Sequence, residues 1–148
     1  MTTNYPLTLL YDGNCPMCNL EMDNLKARNT AGLLHFTDVS QPGFDPLPFG
    51  ATLAQMNALI HAVRPDGSLV VGVEVFRLAY GAVGLGRWAA PTGWPLVKPL
   101  VDAAYAFFAR HRNLISRWAM PLITRIAAAQ AAKRASQCAN GACETPKL

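Results

Sequence analysis

Cys15 and Cys18 stand three positions apart, with Pro16 and Met17 between them and the turn-forming run Asp12–Gly13–Asn14 just before. Thiols at this spacing have three ordinary uses: a reversible disulfide, half of a zinc site, or two structural thiols. Pro16 suits the first turn of a helix, which puts Cys15 at the helix N-terminus. There the free N–H groups and the positive end of the helix dipole stabilise a thiolate, lowering the Cys15 pKa below the roughly 8.5 of a free thiol. Cys15 is therefore expected to be the exposed, attacking sulfur, and Cys18, covered by the turn above it, the resolving one. In that chemistry Cys15 forms a mixed disulfide with a substrate, and Cys18 then attacks Cys15 to release the reduced product. Asp12 needs its own reason, because a carboxylate near a thiolate raises the thiol's pKa. It is either a general base for the Cys18 proton, directly or through water, or a turn carboxylate bonding the N–H groups around Asn14. Spacing alone leaves both open.

The elements that must position this pair can be read on either side of it. Leu7–Tyr11 is a short apolar run ended by turn residues, which predicts a buried first strand. From Pro16 the apolar residues fall at helical spacing to about Arg28, and Asn29–Gly32 stops the helix before a second strand at 33–37. A strand–helix–strand unit of this kind favours an α/β sheet, and a C-x-x-C within it favours redox chemistry over zinc. Gln41–Gly50, rich in Pro and Gly, predicts an irregular loop, followed by a helical turn near Thr52–Met56. Ala58–Arg64, the turn Pro65–Asp66–Gly67–Ser68 and Leu69–Val71 predict an antiparallel hairpin, and Val73 to Val83 a helix. This order is that of a thioredoxin or glutaredoxin core: three layers around a mixed four-stranded sheet. Beyond Gly86 the text is helical and broken by prolines, predicting two further helices, about Leu96–Arg110 and Leu114–Ala132. The expected organisation is a core over 1–88, a helical extension over 89–135 packed on it, and a flexible tail over 136–148.

The string Tyr11–Asp12–Gly13–Asn14–Cys15–Pro16–Met17–Cys18 resembles the signature of the thiol-disulfide oxidoreductase DCC family, named for its D-x-x-C-x-x-C pattern. Ile60–His61–Ala62–Val63 with Asp66–Gly67, Gly72 and the helix after it is similar to that family's second region. His111–Arg112–Asn113 is similar to its basic close, so that the likeness runs from Leu7 to Arg117. The resemblance implies a thioredoxin-like fold, a redox-active Cys15/Cys18 pair and a functional Asp12. The chain departs from typical thioredoxins in having no Trp before Cys15 and no Pro immediately before the Ala58–Arg64 strand. Asn57 or its neighbours would stand where those proteins place a cis-proline against the disulfide.

Other chemistry-bearing residues give weaker signals. Cys138 and Cys143, a C-x4-C pair around Asn140–Gly141, would serve as a redox relay to Cys15/Cys18, as half of a four-thiol zinc site, or as bystanders. His35 and His61 fall in strands, where a satisfied imidazole is commoner than a catalytic one, and His111 belongs to a basic surface cluster. Gly81, Gly84 and Gly86 follow a helix, the wrong setting for a nucleotide fingerprint.

Composition sets the outer bounds. The 148 residues suit one domain, and 51% hydrophobic content with 15% charged residues excludes a disordered chain. The net charge of +4 is dispersed rather than clustered with aromatics, so no nucleic-acid partner is expected. No apolar run approaches the roughly 20 residues of a membrane span, and no signal peptide is visible at the start, so a cytoplasmic location is the expectation. A membrane-surface helix over Asn113–Arg134 is the sharper alternative to ordinary amphipathicity there. The reading is a dithiol-disulfide exchanger without organic cofactor or metal, acting on protein or low-molecular-weight disulfides and regenerated by an unidentified dithiol. The rival is a zinc-stabilised, non-enzymatic interaction protein that uses its basic C-terminal helices to hold a partner or a membrane surface.

Overall fold

Strand β1 (Leu7–Tyr11) alternates its side chains between two buried layers, and that alternation organises the computed structural model, which describes residues 4–139. Leu7 and Leu9 face one way, into a cluster with Met22 and Leu25 of helix α1 (Pro16–Arg28) and with Val75 and Ala79 of helix α3 (Val73–Ala82). Leu10 faces the other way, packing on Val39 and on Met56 of helix α2 (Leu53–Ala58). The sheet is thus sandwiched between helices. Its order is β2-β1-β3-β4, with β2 (Leu34–Asp38), β3 (His61–Val63) and β4 (Leu69–Val71). β1 runs parallel to β2 in the register Leu7↔Leu34 and antiparallel to β3, which in turn pairs antiparallel with β4. This mixed four-stranded sheet in three layers is a thioredoxin-like α/β fold.

Local chemistry fixes the ends of these elements. Asn29 closes α1 and starts β2 at once: its side-chain amide donates to the Leu34 carbonyl at 2.8 Å and its Oδ1 accepts from the Leu34 N–H at 3.1 Å. Helix α2 opens on a Thr52/Gln55 capping box. Ala58, expected in a strand, instead ends α2, and β3 begins only at His61. The capping box commits Thr52 to Ala58 to a helix before the hairpin can start. Gly72 then turns the chain from β4 into α3 at φ +74°, a conformation that disfavours any residue with a Cβ.

The C-terminal extension differs from the expected pair of helices. After the short α4 (Gly86–Ala89) and a 3₁₀ turn at Ala90–Gly93, a single helix α5 runs unbroken over Lys98–Ala139, about 63 Å at 1.5 Å per residue. The expected break at 111–113 is absent because nothing there stops a helix. Arg112 reads as a surface residue, yet its side chain is paired with a carboxylate of the core. Pro121 lies inside the helix rather than at its end. Residues 136–139, expected in a tail, are the last turn of α5. Arg77 of α3 sets the approach to α5: it pairs with Glu74 at 2.7 Å and donates to the Thr92 hydroxyl at 3.0 Å and to the Thr92 carbonyl.

The Asp12–Gly13–Asn14 turn is pinned from below by Asp38 at the end of β2. The Gly13 N–H donates to Asp38 Oδ1 at 2.8 Å, and the Gly13 carbonyl accepts from Asn19 Nδ2 at 2.7 Å. A Cβ at Gly13 would collide with the Asp38 carboxylate. Burial alone would raise the Asp38 pKa, but donation by the Ser40 hydroxyl, the Gln41 amide and the N–H groups of Ser40 and Gly13 outweighs it and holds the carboxyl at about 2. Gly13→Ala is expected to destabilise the protein by about 1–3 kcal/mol, measured by urea unfolding, because the added methyl forces the turn away from its carboxylate.

Candidate active site

The dithiol sits where β1 ends and α1 begins. Cys15 is the N-cap of α1 in extended conformation, Pro16 occupies the first turn, and the Cys15 sulfur accepts the Cys18 N–H at 3.3 Å. A sulfur thus fills the position usually taken by a Ser or Asp side-chain oxygen. Both cysteines are free thiols.

The two thiols are made chemically unequal by this arrangement. Donation by the Cys18 thiol to the Cys15 sulfur is the largest effect on Cys15. Burial opposes it, and the Cys18 N–H and the Arg112 guanidinium add to it, giving a pKa of about 6 despite the charge of Asp12. The same contact pushes the Cys18 thiol upward, because Cys18 is the donor, and burial and the Cys15 charge act in the same direction. Cys15 is thus the more acidic of the two thiols.

Accessibility does not follow the expected order. Cys15 is 1% exposed, whereas Cys18 is partly exposed and lines a cavity of about 340 Å³. The expectation of an exposed first and covered second cysteine is therefore reversed. The reason is α5, which packs across α1 at this end and brings Arg112 to the dithiol and Ser116 beside Pro16. The cavity at Cys18 lies among α1, α3 and α5 and reaches α2, with Met17, Met56, Phe76 and Phe108 in its walls and Asp12, Glu21 and Arg112 among its polar groups. Glu21 accepts the Tyr80 hydroxyl at 2.5 Å, which keeps that polar edge ordered.

Asp12 is doubly engaged. Its Oδ1 accepts the Asn14 N–H at 3.0 Å, which is the turn-carboxylate role, and its Oδ2 accepts from Arg112 Nη2 at 2.8 Å. The ion pair is well covered, at 13% and 16% side-chain exposure. The partner of Asp12 is thus a guanidinium 100 residues away in sequence. The sequence places Arg112 in a basic cluster and in the segment similar to the family's basic close, without a role at the dithiol, although a positive charge was the signal that could offset the puzzling carboxylate. It also missed Tyr105, whose hydroxyl accepts the Ile60 N–H at 3.0 Å. Ile60, not Asn57, immediately precedes β3, since Asn57 lies within α2. The Ile60 amide is occupied by Tyr105 and is not free to pair with an incoming chain.

The remaining candidates fall outside the site. His61 is buried with Nδ1 on the Leu59 carbonyl at 2.9 Å, a satisfied core imidazole, and His111 is exposed with Nδ1 on the Phe107 carbonyl. Cys143 and the side chain of Cys138 lie outside the described residues. Among the described residues no three His, Cys, Asp or Glu side chains converge as metal ligands would.

Fold and site together define a thioredoxin-like protein with a dithiol at a helix N-terminus and one acidified sulfur. The family model for DCC1-like thiol-disulfide oxidoreductases matches residues 9–118, and the chain belongs to that family. It is similar, at 36% identity over 115 residues, to an uncharacterized chloroplastic protein of Arabidopsis thaliana. That match covers 74% of this chain and 52% of the relative, so the chain spans about half the relative's length. No solved structure gives a significant match.

The acidity of Cys15 is directly measurable. Its alkylation by iodoacetamide is expected to rise with pH around a midpoint of about 6, since the reactive thiolate forms as pH climbs through the pKa. Arg112→Met removes a charge that favours the thiolate and leaves Asp12 uncompensated, so the midpoint is expected to move upward. Stability should fall by about 3 kcal/mol as the covered Asp12 loses its partner.

Proposed function

We propose that the chain reduces disulfides through Cys15 and Cys18, with Cys15 attacking and Cys18 resolving. The Cys15 thiolate attacks one sulfur of a substrate disulfide, forming a Cys15 mixed disulfide and expelling the other sulfur as a thiolate. Cys18 then gives up its proton and attacks the Cys15 sulfur. The second substrate thiolate leaves, and a Cys15–Cys18 disulfide holds the two oxidising equivalents until an external dithiol reduces it. The observation that carries this reading is the sulfur at the N-cap of α1, accepting the Cys18 N–H and lowered to a pKa of about 6.

Asp12 serves in this reading as a holder of the loop and of Arg112. Its engagement by Asn14 and Arg112 favours this over the role of general base for the Cys18 proton. Access to Cys15 requires the α5 side of the site to yield, because the sulfur is 1% exposed at rest. The apolar cavity beside Cys18 supports substrates carrying an apolar group next to the disulfide, whether protein or small molecule.

A glutathione redox titration, with thiols alkylated and located by mass spectrometry, tests the reading. A reversible Cys15–Cys18 disulfide is the expected result, and thiols that resist oxidation while the protein carries stoichiometric zinc would overturn it. Cys15→Ser is expected to reduce disulfide reductase activity to the uncatalysed rate. Cys18→Ser should accumulate a mixed disulfide at Cys15, and accumulation at Cys18 in Cys15→Ser instead would reverse the assignment.

A further inference from the structure

Helix α5 has two faces with different tasks. Tyr105, Ala109, Arg112 and Ser116 lie on the inner face, against the core and the dithiol. On the opposite face Leu100, Phe107, Leu114, Trp118 and Leu122 are 73%, 64%, 56%, 80% and 62% exposed. At 100° per residue these five fall within an arc of about 80°. A stripe of this length is not the scattered apolar exposure of an ordinary surface, and none of the described residues covers it.

The charges flanking the stripe narrow what could cover it. Arg110, Arg117 and Arg125 are exposed along the same stretch. Over its whole length α5 carries seven Lys and Arg residues against the single acidic Asp102, which is paired with Lys98 at 2.5 Å. The rest of the chain holds six basic residues against eight acidic, so the positive excess of the protein resides in this helix. A second copy laid on the stripe would bring arginine against arginine with no carboxylate between them. No helix among the described residues is long and apolar enough to cross a membrane. A face of Leu, Phe and Trp that also carries His111 and Arg125 and is flanked on one side by Arg110 and Arg117 matches the interface of an anionic bilayer, where the rings enter the headgroup boundary and the guanidinium groups meet phosphates.

We propose that the outer face of α5, from Leu100 to Arg125, docks the protein on anionic lipid membranes, lying in the plane of the surface. The inner face then keeps Arg112 on the dithiol, so that Cys15 and Cys18 are held about one helix diameter above the lipid, some 10 Å.

Flotation of the full chain with vesicles of phosphatidylglycerol and phosphatidylcholine, against phosphatidylcholine alone, tests this. Binding to the anionic vesicles and weakening with salt are expected. In a Trp88→Phe/Trp94→Phe protein the remaining Trp118 should shift its emission to the blue on binding. Leu114→Gln/Trp118→Gln keeps every charge and alters only exposed positions, and it is expected to weaken binding about tenfold or more. Arg110→Gln/Arg117→Gln/Arg125→Gln should abolish the preference for anionic lipid. Failure to bind anionic vesicles would overturn the proposal. So would binding with no Trp118 shift and no effect of Leu114→Gln/Trp118→Gln, which is charge attraction alone. Sedimentation velocity showing a stable dimer lost in the Leu114→Gln/Trp118→Gln variant would assign the face to a second copy instead.

Discussion

The ion pair between Asp12 and Arg112 joins the two parts of the molecule that sequence keeps furthest apart. It ties the loop before the dithiol to the fourth turn of α5, at 2.8 Å and under cover from solvent. Neither group would be tolerated there alone, because a carboxylate or guanidinium removed from water without a partner costs several kcal/mol. Together they let α5 pack against α1, and that packing buries the Cys15 sulfur and shapes the cavity at Cys18. The pair also balances the local field. Asp12 acts to raise the Cys15 pKa and Arg112 to lower it, leaving the donors on Cys18 as the largest influence.

The division of labour between the thiols follows from that geometry. Acidity and access belong to different sulfurs: Cys15 is the acidic one and is covered, and Cys18 is the accessible one and is held protonated. A thiolate kept covered is protected from indiscriminate oxidation, which tracks thiolate character and exposure together. The apolar walls beside Cys18 leave that sulfur, and not the covered Cys15, facing the cavity.

Much of the core was legible because its signals are local. The apolar run of β1, Pro16 in the first turn of α1 and the Asp66–Gly67 turn each specify an element within a few residues, and the sheet order follows from connecting them. The dithiol was legible for the same reason, since its spacing and its place at a helix start are properties of four consecutive residues. The errors arose where a distant residue decides. Arg110–His111–Arg112 reads as an exposed charged break, and nothing nearby reveals that Asp12 holds Arg112. The pairing of Asp12 with Arg112 was hidden for the same reason, since the two residues are far apart in the chain. The exposure order of the cysteines failed likewise, because it depends on α5 packing against α1, which the residues of α1 alone do not reveal.

Short-range constraints therefore determined the strand–helix–strand unit, the hairpin and the presence of a cysteine pair at a helix N-terminus. These rest on backbone propensities, turn chemistry and the helix N-terminus, all set by neighbours in the chain. Tertiary structure decided which sulfur is reachable, what Asp12 pairs with, where Tyr105 and Arg112 come to lie and which face of α5 is left to the outside. Those are outcomes of burial and charge pairing between residues tens to a hundred positions apart, and their energies exist only once the fold has brought the groups together.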